Sequence, residues 1–372
     1  MNQFSKKFAM SVLAIFLSFG FATQVRALTF NITYDSSVTG QTNATQITNA
    51  FGIATQVMQA LYTNSSSVNI TVFFSSSVGL GASSTSFIGG GSFSYSDLTN
   101  VLRAARTTAA DSNSVASLPA SDPTSGPWFV ASAEVKALEL SSSTFSNLFQ
   151  INPNDTIDSD GDITFASTVS YNFNPTNRAA VLANFDFIAV AEHEIAEVMG
   201  RSTFDFSGAF VPYDLFRFTA SGTRSFNAND SNVYFSTDNG VTVLKQFNPN
   251  NGGDIQDWAT STPPDAYDAF ISNGQVGRLS SADLTALDII GYNLNFAAPH
   301  LTGTPLANGN FKIGFTNVTG LNFTVLATTN ISLSVSNWTN LGTPSESPAG
   351  QYQLTDTQAN SSTQRFYLVR LN

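Results

Sequence analysis

The sequence predicts an α+β protein, with a twisted mixed sheet and flanking helices over residues 28 to 297 and a small all-β sandwich module over residues 298 to 372. Three patterns point there. The chain opens on a strand-helix-strand order, a helix with an apolar stripe beside acidic residues lies near its middle, and the residues after 305 break into short alternating runs parted by Gly, Asn, Thr and Pro. At 372 residues the chain can bury one large core or two smaller ones.

Residues 1 to 27 read as a secretory leader. Lys6 and Lys7 form a basic start, Phe8 to Ala22 is apolar, and Val25-Arg26-Ala27 offers a small-residue cleavage site. Loss of that acid-free leader takes the formal charge from -11 to -14, because Lys6, Lys7 and Arg26 leave with it. Such an acidic chain is a poor partner for nucleic acid or an anionic membrane. No later stretch approaches the roughly 20 apolar residues of a membrane span, so a secreted protein, extracellular or periplasmic, is expected. With no cysteine, stability must rest on core size, hydrogen bonds or bound ions.

Phe30, Ile32 and Tyr34 alternate with polar residues, as in a half-buried strand. Ile47, Phe51, Ala54, Met58 and Leu61 then recur at helical spacing over Thr45 to Tyr62, and Val68 to Phe74 returns to strand. Gly79 to Gly91 is a loop, and Tyr95 to Ala109 is a helix carrying Leu98, Val101, Leu102 and Ala105. A loop from Ser117, a strand at Trp128 to Val130, a helix over Ser132 to Leu140 and a strand over Ile163 to Phe173 follow. Asp186 to Met199 is the central helix, with Asp186 as N-cap and Gly200 as C-cap. Aromatic-rich loops and short strands run from Phe204 to Trp258, and a last helix spans Ser281 to Ile290. Phe296 to Pro305 reads as a linker. Beyond it, Phe311 to Phe315, Leu321 to Ala327, Ile331 to Val335, Gln351 to Leu354 and Arg365 to Val369 read as strands of the module.

The central helix carries His193-Glu194-Ile195-Ala196-Glu197, an HExxE sequence in a chain with one other histidine, His300. His193 and Glu197 are one turn apart on a shared face, the spacing of two metal ligands. Glu194 stands beside the first ligand, where a carboxylate accepts the proton of an activated water. Gly200 would let the chain turn back to deliver a third ligand. The residue at the next ligand offset, Thr203, is a poor one for zinc. Asp214, flanked by Tyr213, Leu215 and Phe216, is the first alternative, then Asp205, then His300.

The motif and its surroundings resemble a family of secreted bacterial metalloproteases with an H-E-[IL]-x-E-V-M-G-R core, often found on proteins with PEP-CTERM sorting signals and distantly similar to metzincins. The likeness extends to Asp186-Phe187-Ile188, Leu215-Phe216-Arg217, Tyr234-Phe235-Ser236-Thr237-Asp238, Gly253-Asp254-Ile255-Gln256-Asp257-Trp258 and Ala286-Leu287-Asp288-Ile289-Ile290-Gly291-Tyr292. It implies a metzincin-like catalytic domain and a zinc-dependent endopeptidase acting on protein or peptide substrates, with His193, Glu194 and Glu197 in the roles above. The chain departs from the family in lacking the Pro-Glu-Pro, apolar span and arginine cluster of a sorting signal. Its tail, with Asn337-Trp338-Thr339 and Gln364-Arg365-Phe366-Tyr367, resembles a small secreted β-module instead.

Two acidic groups invite a calcium (Ca2+) reading. Asp155, Asp158, Asp160 and Asp162 fail the EF-hand spacing, since Ile163 and Val169 stand where a glycine and a glutamate belong, so an acidic turn is expected. Asp254 and Asp257, beside Trp258, read first as a shaped turn, with calcium or substrate contact as the alternative. No G-x-S-x-G elbow and no phosphate loop is present. The competing functional reading is a non-catalytic secreted adhesin or carbohydrate-binding protein that keeps a peptidase-like fold.

Overall fold

A computed structural model describes residues 27–89, 94–139, 157–178, 182–204 and 208–372. Residues 1 to 26 of the leader, residues 90 to 93, Asp155 and Asp205 lie outside the described residues; in the range 79 to 91, expected as a loop, Gly81–Thr85 and Phe87–Gly89 are strands instead. The chain is a mixed α+β protein.

Its first sheet has four strands in the order Thr29–Tyr34, Ser67–Ser75, Gly161–Ala166, Gly81–Thr85. The first three are parallel and the last runs antiparallel along the edge. Parallel neighbours need a crossover, and the helix Ala44–Leu61 supplies it, burying Ile47, Phe51, Ala54, Met58 and Leu61 on the sheet side. The strand residues Ile70, Val72, Ile163 and Phe165 complete that core.

The motif helix, Phe187–Val198, packs between the crossover helix and the edge strand Gly81–Thr85. It is buried nearly throughout, and His193 is its most accessible residue. Asp186 occupies the N-cap position but makes no capping bond. Its carboxylate is instead held by Arg178 Nε at 3.0 and 2.9 Å, a charge-assisted pair stronger than a cap. Met199 ends the helix and Gly200 follows at φ 115°, where a side chain would be strained and would meet the Glu134 carboxylate.

The helix expected over Tyr95 to Ala109 divides. Tyr95–Ala105 carries a Ser94–Asp97 capping box, and a second helix, Ala109–Ala116, starts afresh at Thr108, whose hydroxyl accepts from Asp111 N. The capping hydroxyl of Thr108 breaks what the apolar spacing would have continued. After the motif helix, a four-stranded sheet of short strands covers an aromatic core in which Phe235 and Phe247 pack on Trp258 at centroid distances of 5.4 and 5.0 Å. The last helix is Ser281–Asp288.

The C-terminal residues form two antiparallel sheets, Thr302–Pro305 with Phe311–Thr316, Gln351–Asp356 and Ser345–Glu346, and Thr339–Gly342 with Phe323–Thr328 and Phe366–Leu371. The expected linker therefore ends in an edge strand. Residues 331 to 335 are not a strand. They form an exposed turn and the start of a short 3-10 helix, because Asn330 and Thr328 close the chain with side-chain bonds to the backbone. Among the described residues no helix is long and apolar enough to cross a membrane.

Candidate metal centre

His193 and Glu197 share the exposed edge of the motif helix, as their spacing requires. His193 Nδ1 lies 3.0 Å from the carbonyl oxygen of Ala266. A carbonyl only accepts, so Nδ1 carries a proton and Nε2 faces the site. Two carboxylate oxygens converge there, Glu197 Oε1 at 3.5 Å and Asp257 Oδ1 at 3.2 Å. The three donor atoms lie within 4.8 Å of one another. Asp257 is thus the third member, delivered by a loop that reaches back over the helix.

Asp214 is not part of that cluster. It is fully buried in the 3-10 helix Pro212–Phe216, where its Oδ2 accepts from Val211 N at 3.0 Å. His300 is exposed and outside the cluster. Asp160, from the acidic run, is bound by Lys136 Nζ and Asn69 N, each at 2.8 Å, and by Ser132 Oγ at 2.6 Å. That carboxylate is part of the core and not a calcium ligand.

Three residues hold the donors in place. Ser83 Oγ, on the edge strand, donates to Glu197 Oε2 at 2.7 Å, and Gln256 Nε2 donates to Glu197 Oε1 at 3.1 Å. Arg201, wholly buried, sets Nη1 2.7 Å from Asp257 Oδ1 and Nη2 3.4 Å from Glu197 Oε1. Its guanidinium stacks on the Tyr267 ring at 4.3 Å. Ser83 and Gln256 could not be assigned a role from the sequence, since each is brought near only by folding, whereas Arg201 stands four residues after Glu197 and its spacing was a usable signal.

The electrostatics follow from crowding. Burial opposes the charged imidazole, yet the Asp257 carboxylate holds the His193 pKa well above its usual range. Burial likewise opposes ionisation of Glu197, but the bond from His193 and its charge hold that carboxyl well below its usual range. Glu194 is pushed well above, by burial and then by the negative charge of Glu197. Arg201 supplies one positive charge to the two carboxylates, and a proton on His193 or a metal ion can supply the balance.

All four residues line one cleft of about 630 Å³ between the edge strand and the loops 252–257 and 266–271. Gly81 has no room for a Cβ, because the Glu194 carboxylate and Val190 pack directly on its backbone. Ligand bonds of about 2.0–2.2 Å in a tetrahedral array place donors about 3.3–3.6 Å apart. The His193 separations fit that range closely. Compared with known proteins, the chain matches no family model, no curated protein and no solved structure.

Proposed function

We propose that this chain is a secreted zinc-dependent endopeptidase, related to the bacterial proteases with an HE[IL]xEVMGR core. On this reading residues 28 to 297 are a metzincin-like catalytic domain and 298 to 372 a β-sandwich module. One observation carries it: His193 Nε2, Glu197 Oε1 and Asp257 Oδ1 converge at metal-ligand spacing in a cleft. Zinc suits one imidazole and two carboxylates with a position left open, whereas calcium prefers six to eight oxygens.

Bound there, zinc would supply a Lewis acid for the scissile carbonyl and would acidify the attacking water. Glu194, lining the same cleft, accepts that water's proton and returns it to the departing amine. Burial, and then the negative charge of Glu197, raise its pKa above the ordinary carboxylate range, the direction that suits a group that both takes and returns a proton. The strand Gly81–Thr85 is the sheet edge and lines the cleft, so an extended peptide can pair with its backbone and lie across the site. Arg201, Ser83 and Gln256 hold the carboxylates so that the ligand set is formed before the metal arrives.

Mature protein should carry about one zinc per chain, and chelation should abolish peptide cleavage. Glu194→Gln should keep the zinc and lower kcat by about 10²–10⁴-fold. Loss of the metal in that variant would make Glu194 a ligand instead. One feature favours the non-catalytic alternative: Arg201 and a protonated His193 can together neutralise Glu197 and Asp257 without any metal. Substoichiometric zinc after gentle purification would select it.

A further inference from the structure

The cleft has a charge pattern that the proposed zinc site does not use up. With Arg201 and a doubly charged ion beside them, Glu197 and Asp257 carry no negative excess, and Glu194 serves the proton transfer. Two more carboxylates line the same cleft, Asp254, exposed at its mouth, and Asp268. Among the described residues no lysine or arginine lines it.

Asp268 is only 5% exposed. Its Oδ2 is fully engaged, accepting from Ser261 N and Oγ at 2.9 Å each and from Asp265 N at 3.0 Å. Its Oδ1 has no hydrogen-bond partner among the described residues. The nearby cation, Lys245, is committed to Asp265 Oδ2 at 2.7 Å. A buried carboxylate oxygen left without a donor costs free energy unless something binds it.

Phe270, 46% exposed, also lines the cleft. Its ring packs so closely on Gly253 that a Cβ there would lie 2.8 Å from Cζ, which sets the ring beside Asp254. A long basic side chain matches this set of groups. Its methylenes can lie on the phenyl face while its charged head replaces the missing donor.

We propose that the cleft selects peptides with a lysine or arginine near the cleaved bond, and that Asp268 and Asp254 bind the cationic head over Phe270. This rests on the endopeptidase reading above. Asp268 and Asp254 are specificity residues here, and neither takes part in bond cleavage.

Matched fluorogenic peptides, identical except for lysine or norleucine at each position flanking the cleaved bond, test it on the zinc-loaded mature chain. The lysine peptide should be cut with kcat/KM at least about tenfold higher at one position. Asp268→Asn keeps an oxygen for the Ser261 and Asp265 donors, and it should shrink that ratio without changing norleucine cleavage. Asp254→Asn, at an exposed residue, should shrink it independently, and the double variant should bring it to about one. Equal cleavage of both peptides, abolished by chelation, would overturn the selectivity and leave the peptidase intact. If neither peptide is cut, fluorescence anisotropy with the same pair decides. Tighter binding of the lysine peptide that Asp268→Asn removes retains the cationic subsite and sinks the peptidase reading, while equal binding sinks the subsite as well.

Discussion

At the scale of single residues, the site depends on one ligand pair that the chain writes locally and one that it does not. His193 and Glu197 are readable because helix geometry puts residues four apart on one face. Asp257 lies on a distant loop, and no spacing rule connects it to the helix. It stood out in the sequence only as an acid beside Trp258 after Gly252-Gly253. Asp214 drew attention for its apolar neighbours, and it is indeed buried, but its burial satisfies a helix start. Asp257→Ala should therefore remove stoichiometric zinc, whereas Asp214→Asn should leave zinc content unchanged while lowering stability; metal analysis and thermal melts separate the two. Arg201→Lys keeps the charge but loses the fork that spans Glu197 and Asp257. Chelator competition should show zinc affinity about 10–100-fold weaker in that variant. An unchanged affinity would mean that the carboxylates hold themselves in place.

At the scale of elements, helices with long apolar stripes were legible and their interruptions were not. The crossover helix Ala44–Leu61 and the motif helix sit within a residue or two of their expected bounds. The second helix Ala109–Ala116 was hidden, since its start signals, Thr108 and the first-turn Asp111, fall where the apolar spacing of the preceding helix runs on. That helix packs on Ser281–Asp288, and the contact brings two acids together. Burial, followed by the charge of Asp288, raises the Asp111 pKa to about 7, and burial raises that of Asp288 to about 6. The folded state thus binds protons that the unfolded chain has released. Their stabilising contribution is complete below about pH 4 and is lost as pH rises through about 6–7. Unfolding free energy from this pair should fall on the order of 2 kcal/mol between pH 5 and pH 8, allowing for partial solvent screening of the two charges. Asp111→Asn keeps an oxygen for the Thr107 N–H and should flatten that slope in urea titrations at the two pH values. A slope as steep as in the parent would place the dependence elsewhere.

At the scale of the whole molecule, the change of character after residue 297 was plain, but the way the two parts meet was not. Their junction is made largely by backbone groups, to which side-chain patterns are blind. Leu279 N donates to Gly320 O at 3.0 Å, Asn322 N to Leu279 O at 2.8 Å, and Ser281 N to Asn372 O at 2.5 Å. Around them lies a buried charge network. Arg278 Nη1 meets Glu346 Oε2 at 2.6 Å, while Glu346 Oε1 accepts from Gly350 N at 2.8 Å and from Thr319 Oγ1 at 2.5 Å. Gly320 packs against Arg178 and the Glu192 carboxylate, and Glu192 directly precedes His193 in sequence. Removing one partner of such a cluster strands the others in a poorly solvated place, at a cost of about 3–5 kcal/mol when burial is deep. Here the Arg278 side chain is 21% exposed, so about 1–3 kcal/mol is the reasonable scale for Glu346→Ala. Because the same residues close over the motif helix, the loss should be felt by the entire chain. Calorimetry should show the parent melting in a single transition and Glu346→Ala melting several degrees lower, with zinc released at the lower temperature. Two separate transitions in the parent, with zinc following only the first, would mean that the module merely rests on the helix and lends it no stability.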